Sequence, residues 1–148
     1  MNAADARAGR IALVWMAWKV GHNYADHIGQ DSRDAREKGE PGWKGRAACA
    51  RHIVNLTATK AAALALAGAA TGVRLSPRRV AVAMAIDAAS HYVIDRRTPL
   101  RRLAAALGKT ELYELGDPKA APCGTGAYVM DQAAHDVMLL ITALYAGR

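Results

Sequence analysis

Residues 90–99 read SHYVIDRRTP. His91 and Asp95 stand four places apart in a run that otherwise looks like buried helix, so they share one helix face. Pro99 does not continue that helix but suits the first position of a new one, which makes the stretch a helix end, a turn and a helix start. Ionisable groups on a packing face imply that the helix borders a polar interior.

Outward from this point the periodicity is helical throughout. Alanine dominates, and neither an alternating strand pattern nor an Asn-Gly hairpin turn is evident, so the fold class is all-α. A first helix is predicted over residues 4–28, with Ile11, Val14, Trp15, Trp18 and His22 at spacings of three and four, closed by Gly29. The segment QDSRDAREKGEPGWKG reads as a solvated, mobile loop. A second helix follows over 46–70 and stops near Gly72. A third opens at Ser76 and Pro77 and reaches Ile94. Thr98 and Pro99 start a short basic helix ended by Gly108. After the linker GDPKAAPCGTG, a last helix over 127–145 turns Met130, Val137, Leu140, Ile141 and Leu144 to its apolar face. The expectation is one helical domain over 1–148, a bundle of four long helices plus one short basic helix.

Composition bounds the setting. The chain has 148 residues, 52% hydrophobic and 22% charged, enough for a sizeable core. Its formal charge of +7 favours phosphate-bearing partners such as nucleic acid, nucleotides or anionic lipid. Cys49 and Cys123 form no CxxC pair and nothing resembles a signal peptide, so free thiols and a cytoplasmic location are expected. The uninterrupted apolar run from Ala61 to Val73 falls short of a membrane span, and no segment is expected to reach spanning length, so a soluble, buried helix is favoured there.

The polar residues within the helices carry the chemistry. His22, Asp26 and Gln30 are spaced four apart, as are Asp87, His91 and Asp95, and again Asp131 and His135. His52 adds an imidazole from the second helix. Buried carboxylates need a cation, a metal or dense hydrogen bonding. Bundle helices that project His and carboxylate inward build one- and two-metal sites, and this donor mixture suits a divalent Zn, Mn, Fe or Ni ion. The candidate ligands are His22, Asp26, His52, His91, Asp95, Asp131 and His135. The alternative is a closed network of His–Asp hydrogen bonds completed by helix ends and by Arg96 or Arg97.

The series HNYADHIGQ, RHIVN, SHYVID and DQAAH resembles an uncharacterised bacterial and phage family of small helical proteins. In that family H-x3-D-x3-Q, a lone His, H-x3-D and D-Q-x2-H helices succeed one another. The likeness covers residues 21–140, at His22, Asp26, Gln30, His52, His91, Asp95, Asp131, Gln132 and His135. Members are described as membrane proteins and a neighbouring family as metal-dependent, membrane-bound hydrolases, so the resemblance implies a metal site.

A catalytic site of this composition would hydrolyse a phosphate ester of a nucleotide, nucleic acid or lipid head group. Asp95 or Asp131 would serve as ligand or general base, and Arg96, Arg97, Arg101 and Arg102 would meet the phosphates. A second reading is a basic nucleic-acid-binding or regulatory module, with arginines at the helix starts SPRRV and TPLRR and a structural His/Asp network. Trp15 and Trp18 are expected in the core, and Trp43 is expected to anchor the polar loop or lid a pocket. His27 points about 100° away from Asp26 and stands outside the cluster.

Overall fold

Each long helix has a local reason to start and stop. The computed structural model describes residues 2–148. Helix α1 (Ala3–Tyr24) begins in a capping box, in which Asn2 accepts from the Asp5 N–H and Asp5 accepts from the Asn2 N–H. Its last turn widens into a π-helical segment, Ala25–Gly29, which carries Asp26. A short helix α2 (Ser32–Glu37) is capped by Asp31. Helix α3 (Gly42–Thr71) ends at Gly72 in the left-handed conformation, φ 70°, which glycine adopts without a steric penalty. Helix α4 (Pro77–Asp95) starts on a proline. Helices α5 (Thr98–Ala106), α6 (Thr110–Tyr113) and α7 (Gly126–Ala146) complete the chain. No strand occurs among the described residues, and the fold is all-α.

The four long helices run up, down, up, down. Arg10 near the start of α1 donates to the Gly147 carbonyl beyond α7, and Arg79 near the start of α4 donates to the Arg148 carbonyl. At the other end Asn55 of α3 donates to the Gly29 carbonyl. Helix α1 packs on α3 and α7, and α4 packs on α7 and α3, closing a ring of four. The apolar core between them is built from Val14, Ala17, Trp18, Leu64, Ala83, Leu139, Ala143 and Ala146.

Several expectations need correction. The segment 30–45 is not a plain loop: it contains α2, α3 begins at Gly42 rather than Arg46, and Asp34 is buried in an ion pair with Arg51. A charged segment folds here because its charges find partners. Ser76 stands at the start of α4 but makes no side-chain cap, and Thr98 lies inside α5, whose cap position is Arg97. Trp43 is 80% exposed and anchors nothing; Trp18 is fully buried, whereas Trp15 lies at the surface. The expected apolar face of α7 is turned outward: Val137, Leu140, Ile141 and Leu144 are exposed, while Leu139, Thr142, Ala143 and Ala146 are buried. Finally, α3 continues unbroken through its polar residues. It is long and apolar enough, by length and composition, to cross a membrane, and only 17% of that apolar window is buried.

Candidate metal centre

In α4 the inward face reads Ala83, Asp87, His91, Asp95, all buried and four apart. The same helical geometry sets His22 and Asp26 one turn apart at the end of α1, and Asp131 and His135 one turn apart on α7. Helix α3 supplies His52. All four long helices therefore bring side chains to one interior space, and the seven residues expected from the sequence meet there.

The donor atoms lie close together. His52 Nε2 is 2.9 Å from Asp26 Oδ1 and 3.3 Å from Asp95 Oδ2. His91 Nε2 is 3.4 Å from Asp95 Oδ2, 3.8 Å from Asp26 Oδ1 and 3.4 Å from His52 Nε2. His135 Nε2 is 3.5 Å from Asp131 Oδ2 and 3.7 Å from Asp95 Oδ1. The rings of His91 and His135 stack with centroids 3.7 Å apart.

Three groups have ligand atoms within 4.8 Å of one another: His22, Asp26 and His91; His52, His91 and Asp95; and Asp95, Asp131 and His135. His91 and Asp95 each belong to two groups. These buried groups have the composition and spacing to hold a metal ion.

Hydrogen bonding accounts for only part of this closeness: Lys38 reaches Asp95 Oδ1, and Gln132 donates to Asp26 Oδ2. Asp26 Oδ1, Asp95 Oδ2 and the Nε2 atoms of His22 and His135 are buried with no aligned hydrogen-bond partner. A buried polar atom left unpaired costs about 1–3 kcal/mol. These atoms converge on shared space instead of on one another, as ligands do.

Two side chains extend the site. Gln132 on α7 donates to Asp26 Oδ2 at 3.3 Å and to Asp131 Oδ2 at 3.4 Å, tying the end of α1 to α7. Lys38, just beyond α2, reaches in with its Nζ 2.9 Å from Asp95 Oδ1. Burial disfavours its charge, but Asp95 and Asp26 beside it outweigh that and hold its pKa above the ordinary lysine value. Sequence reasoning missed Lys38, since nothing in a polar segment marks which lysine folds inward.

The arginines assigned to phosphates have other partners. Arg96 donates to the carbonyls of Lys38 and Glu40, and Arg97 to that of Ala35, so both guanidiniums hold the α2 segment in place over the cluster. Arg97 itself has φ 60°, a left-handed value rare for a side chain with a β-carbon. Arg101 pairs with Glu114 at the surface, and Arg102 is exposed. His27 lies apart from the cluster, against the Tyr128 hydroxyl. Beside it a groove of about 600 Å³ between α1 and α7 is lined by Lys19, Asn23, His27, Tyr128 and Gln132.

Comparison with protein-family models, with curated proteins and with solved structures yields no match to this chain. The residues themselves carry the functional reading.

Proposed function

We propose that this protein is a metal-dependent hydrolase of phosphate esters, with one or two divalent ions of the Zn, Mn, Fe or Ni type held inside the bundle. The observation that carries the reading is the set of three ligand groups linked through His91 and Asp95, in which Asp26 Oδ1, Asp95 Oδ2 and the Nε2 atoms of His22 and His135 have no aligned hydrogen-bond partner. Histidine-rich, carboxylate-containing sites favour these ions over Mg.

A bound ion of this type supplies Lewis acidity and lowers the pKa of water toward neutrality. His22, His52, His91 and His135 hold it together with Asp26 and Asp95. Asp131 is the most accessible of the three carboxylates, its side chain 22% exposed against 1% for Asp95, so it takes the proton of the attacking water. Asp95 remains a ligand. Lys38, the cation nearest the cluster, steadies the phosphoryl oxygens, a role that its geometry suits better than that of Arg96 or Arg97.

The test is metal analysis of the purified full chain, followed by assay on a phosphodiester and a phosphomonoester. The expectation is stoichiometric metal and turnover lost in Asp131→Asn with metal retained. Protein that takes up none of the four ions, with no rise in melting temperature on their addition, overturns the metal reading. Metal bound without turnover of either ester overturns the hydrolase.

A further inference from the structure

Beside its apolar core this bundle buries many polar groups, while its outer surface is rich in apolar ones. Its interior holds His22, His52, Lys60, Asp87, His91 and Asp95, while large apolar side chains stand on the outside of every long helix. Val20 of α1 is 62% exposed, Leu66 of α3 73%, Ile86 of α4 44% and Val137 of α7 58%. Soluble monomers rarely expose large contiguous apolar surface.

Charge follows the same division. Between residues 11–24, 53–73, 80–94 and 127–146 the four long helices carry only Lys19, Lys60, Asp87, Asp131 and Asp136 as charged residues other than histidine. Lys60 and Asp87 are buried and paired at 2.5 Å, Lys19 and Asp136 pair at 2.5 Å, and Asp131 borders the ligand cluster. Every other Lys, Arg, Asp and Glu falls outside these four stretches, with Asp26, Lys38 and Asp95 turned into the ligand cluster.

We infer that the belt between those ends is a lipid-facing surface and that the four long helices span a bilayer. The whole helices, charged ends included, are 22, 30, 19 and 21 residues long, where a hydrocarbon core takes about 20, and α3 passes by composition as well as by length. The apolar surface goes round all four helices, whereas a second copy of the chain would cover one side. The packing agrees as well, because the buried residues that join the helices are largely small: Ala17, Ala48, Ala83, Ala143 and Ala146. Close approach over small residues is how helices associate where lipid removes the hydrophobic drive. A Cβ on Gly21 would come within 2.9 Å of the Lys60 Cα. Ionisable groups in such a setting face the bundle interior and pair with one another, as they do here. The inference stands apart from the hydrolase reading, since it uses the outer surface and not the ligand cluster.

The full chain, expressed in bacteria, tests it. The expected protein stays in the membrane pellet through an alkaline carbonate wash and needs detergent for extraction. Reconstituted as Trp43→Phe in phosphatidylcholine–phosphatidylglycerol vesicles with brominated acyl chains, it should lose most of the emission of Trp15, which lies at the surface of the belt. Leu66→Arg should lower the inserted fraction roughly 100-fold, and Gly9→Arg, in open space near the bundle end, should leave it unchanged. Monodisperse protein in detergent-free buffer, as monomer or oligomer, overturns the inference, as does Trp15 emission indifferent to brominated chains.

Discussion

Lys38 Nζ lies 2.9 Å from Asp95 Oδ1, so a residue from the segment after α2 reaches a carboxylate that two ligand groups share. An ammonium group beside the donor atoms opposes a bound dication and attracts a bound phosphate. Lys38→Met is therefore expected to tighten metal binding about five- to tenfold, the scale of one screened unit charge at this range, while lowering phosphate-ester turnover. Calorimetric metal titration and the ester assay check the two effects separately. A variant in which neither changes would show that Lys38 only caps the bundle.

Asp95 and His135 should differ in how much metal their loss removes. Asp95 belongs to two ligand groups, His135 to one. Asp95→Ala is expected to abolish stoichiometric binding, and His135→Ala to leave the ion held by Asp95 with His52 and His91. Metal content by mass spectrometry, with helicity verified by circular dichroism, distinguishes them. Equal loss in both variants would contradict the shared role.

His52 is the only histidine that α3 contributes, and its Nε2 approaches Asp26, His91 and Asp95. His52→Ala is expected to weaken metal affinity by roughly tenfold or more. Unchanged metal content would remove His52 from the site.

Outside the ligand cluster, Lys60 and Asp87 form a buried ion pair at 2.5 Å, with Lys60 Nζ 5.4 Å from the centroid of the Trp18 ring. Removing one partner strands the other charge, a loss of about 3–5 kcal/mol. Lys60→Met and Asp87→Leu should each destabilise the bundle by that order, and the double variant should recover most of it. Thermal unfolding of the three variants in one detergent measures this. A double variant as unstable as either single would mean that packing, not charge, dominates.

Gly21→Ala probes a close approach of α1 to α3. The added Cβ would lie 2.9 Å from the Lys60 Cα, a backbone atom that cannot swing away. The expected loss is about 1–3 kcal/mol, read in the same unfolding experiment, with Gly9→Ala as the unaffected comparison.

The extent to which the sequence was legible follows from the range of each interaction. Helix ends came through closely at Gly72, Pro77 and α7, because glycine and proline act on their own backbone. The pairs His22–Asp26, His91–Asp95 and Asp131–His135 were readable because 3.6 residues per turn places i and i+4 on one face whatever surrounds the helix. Buried carboxylates then required a compensating partner, and this was enough to place seven candidate ligands in one interior.

What the helices turn outward was not legible in the same way. Residues such as Val82 and Ile86 alternate on α4 with Ala83 and Asp87, and the usual expectation that the apolar face packs inward selects the wrong side. Local sequence alone thus determined the helices, their ends and the His/Asp faces. Only the tertiary structure decided which donor atoms of those faces come together, that Lys38 rather than an arginine reaches Asp95, and that the bulky apolar residues stay outside. The physical reason is that these depend on which helix lies opposite which, a contact between distant parts of the chain that no local periodicity encodes.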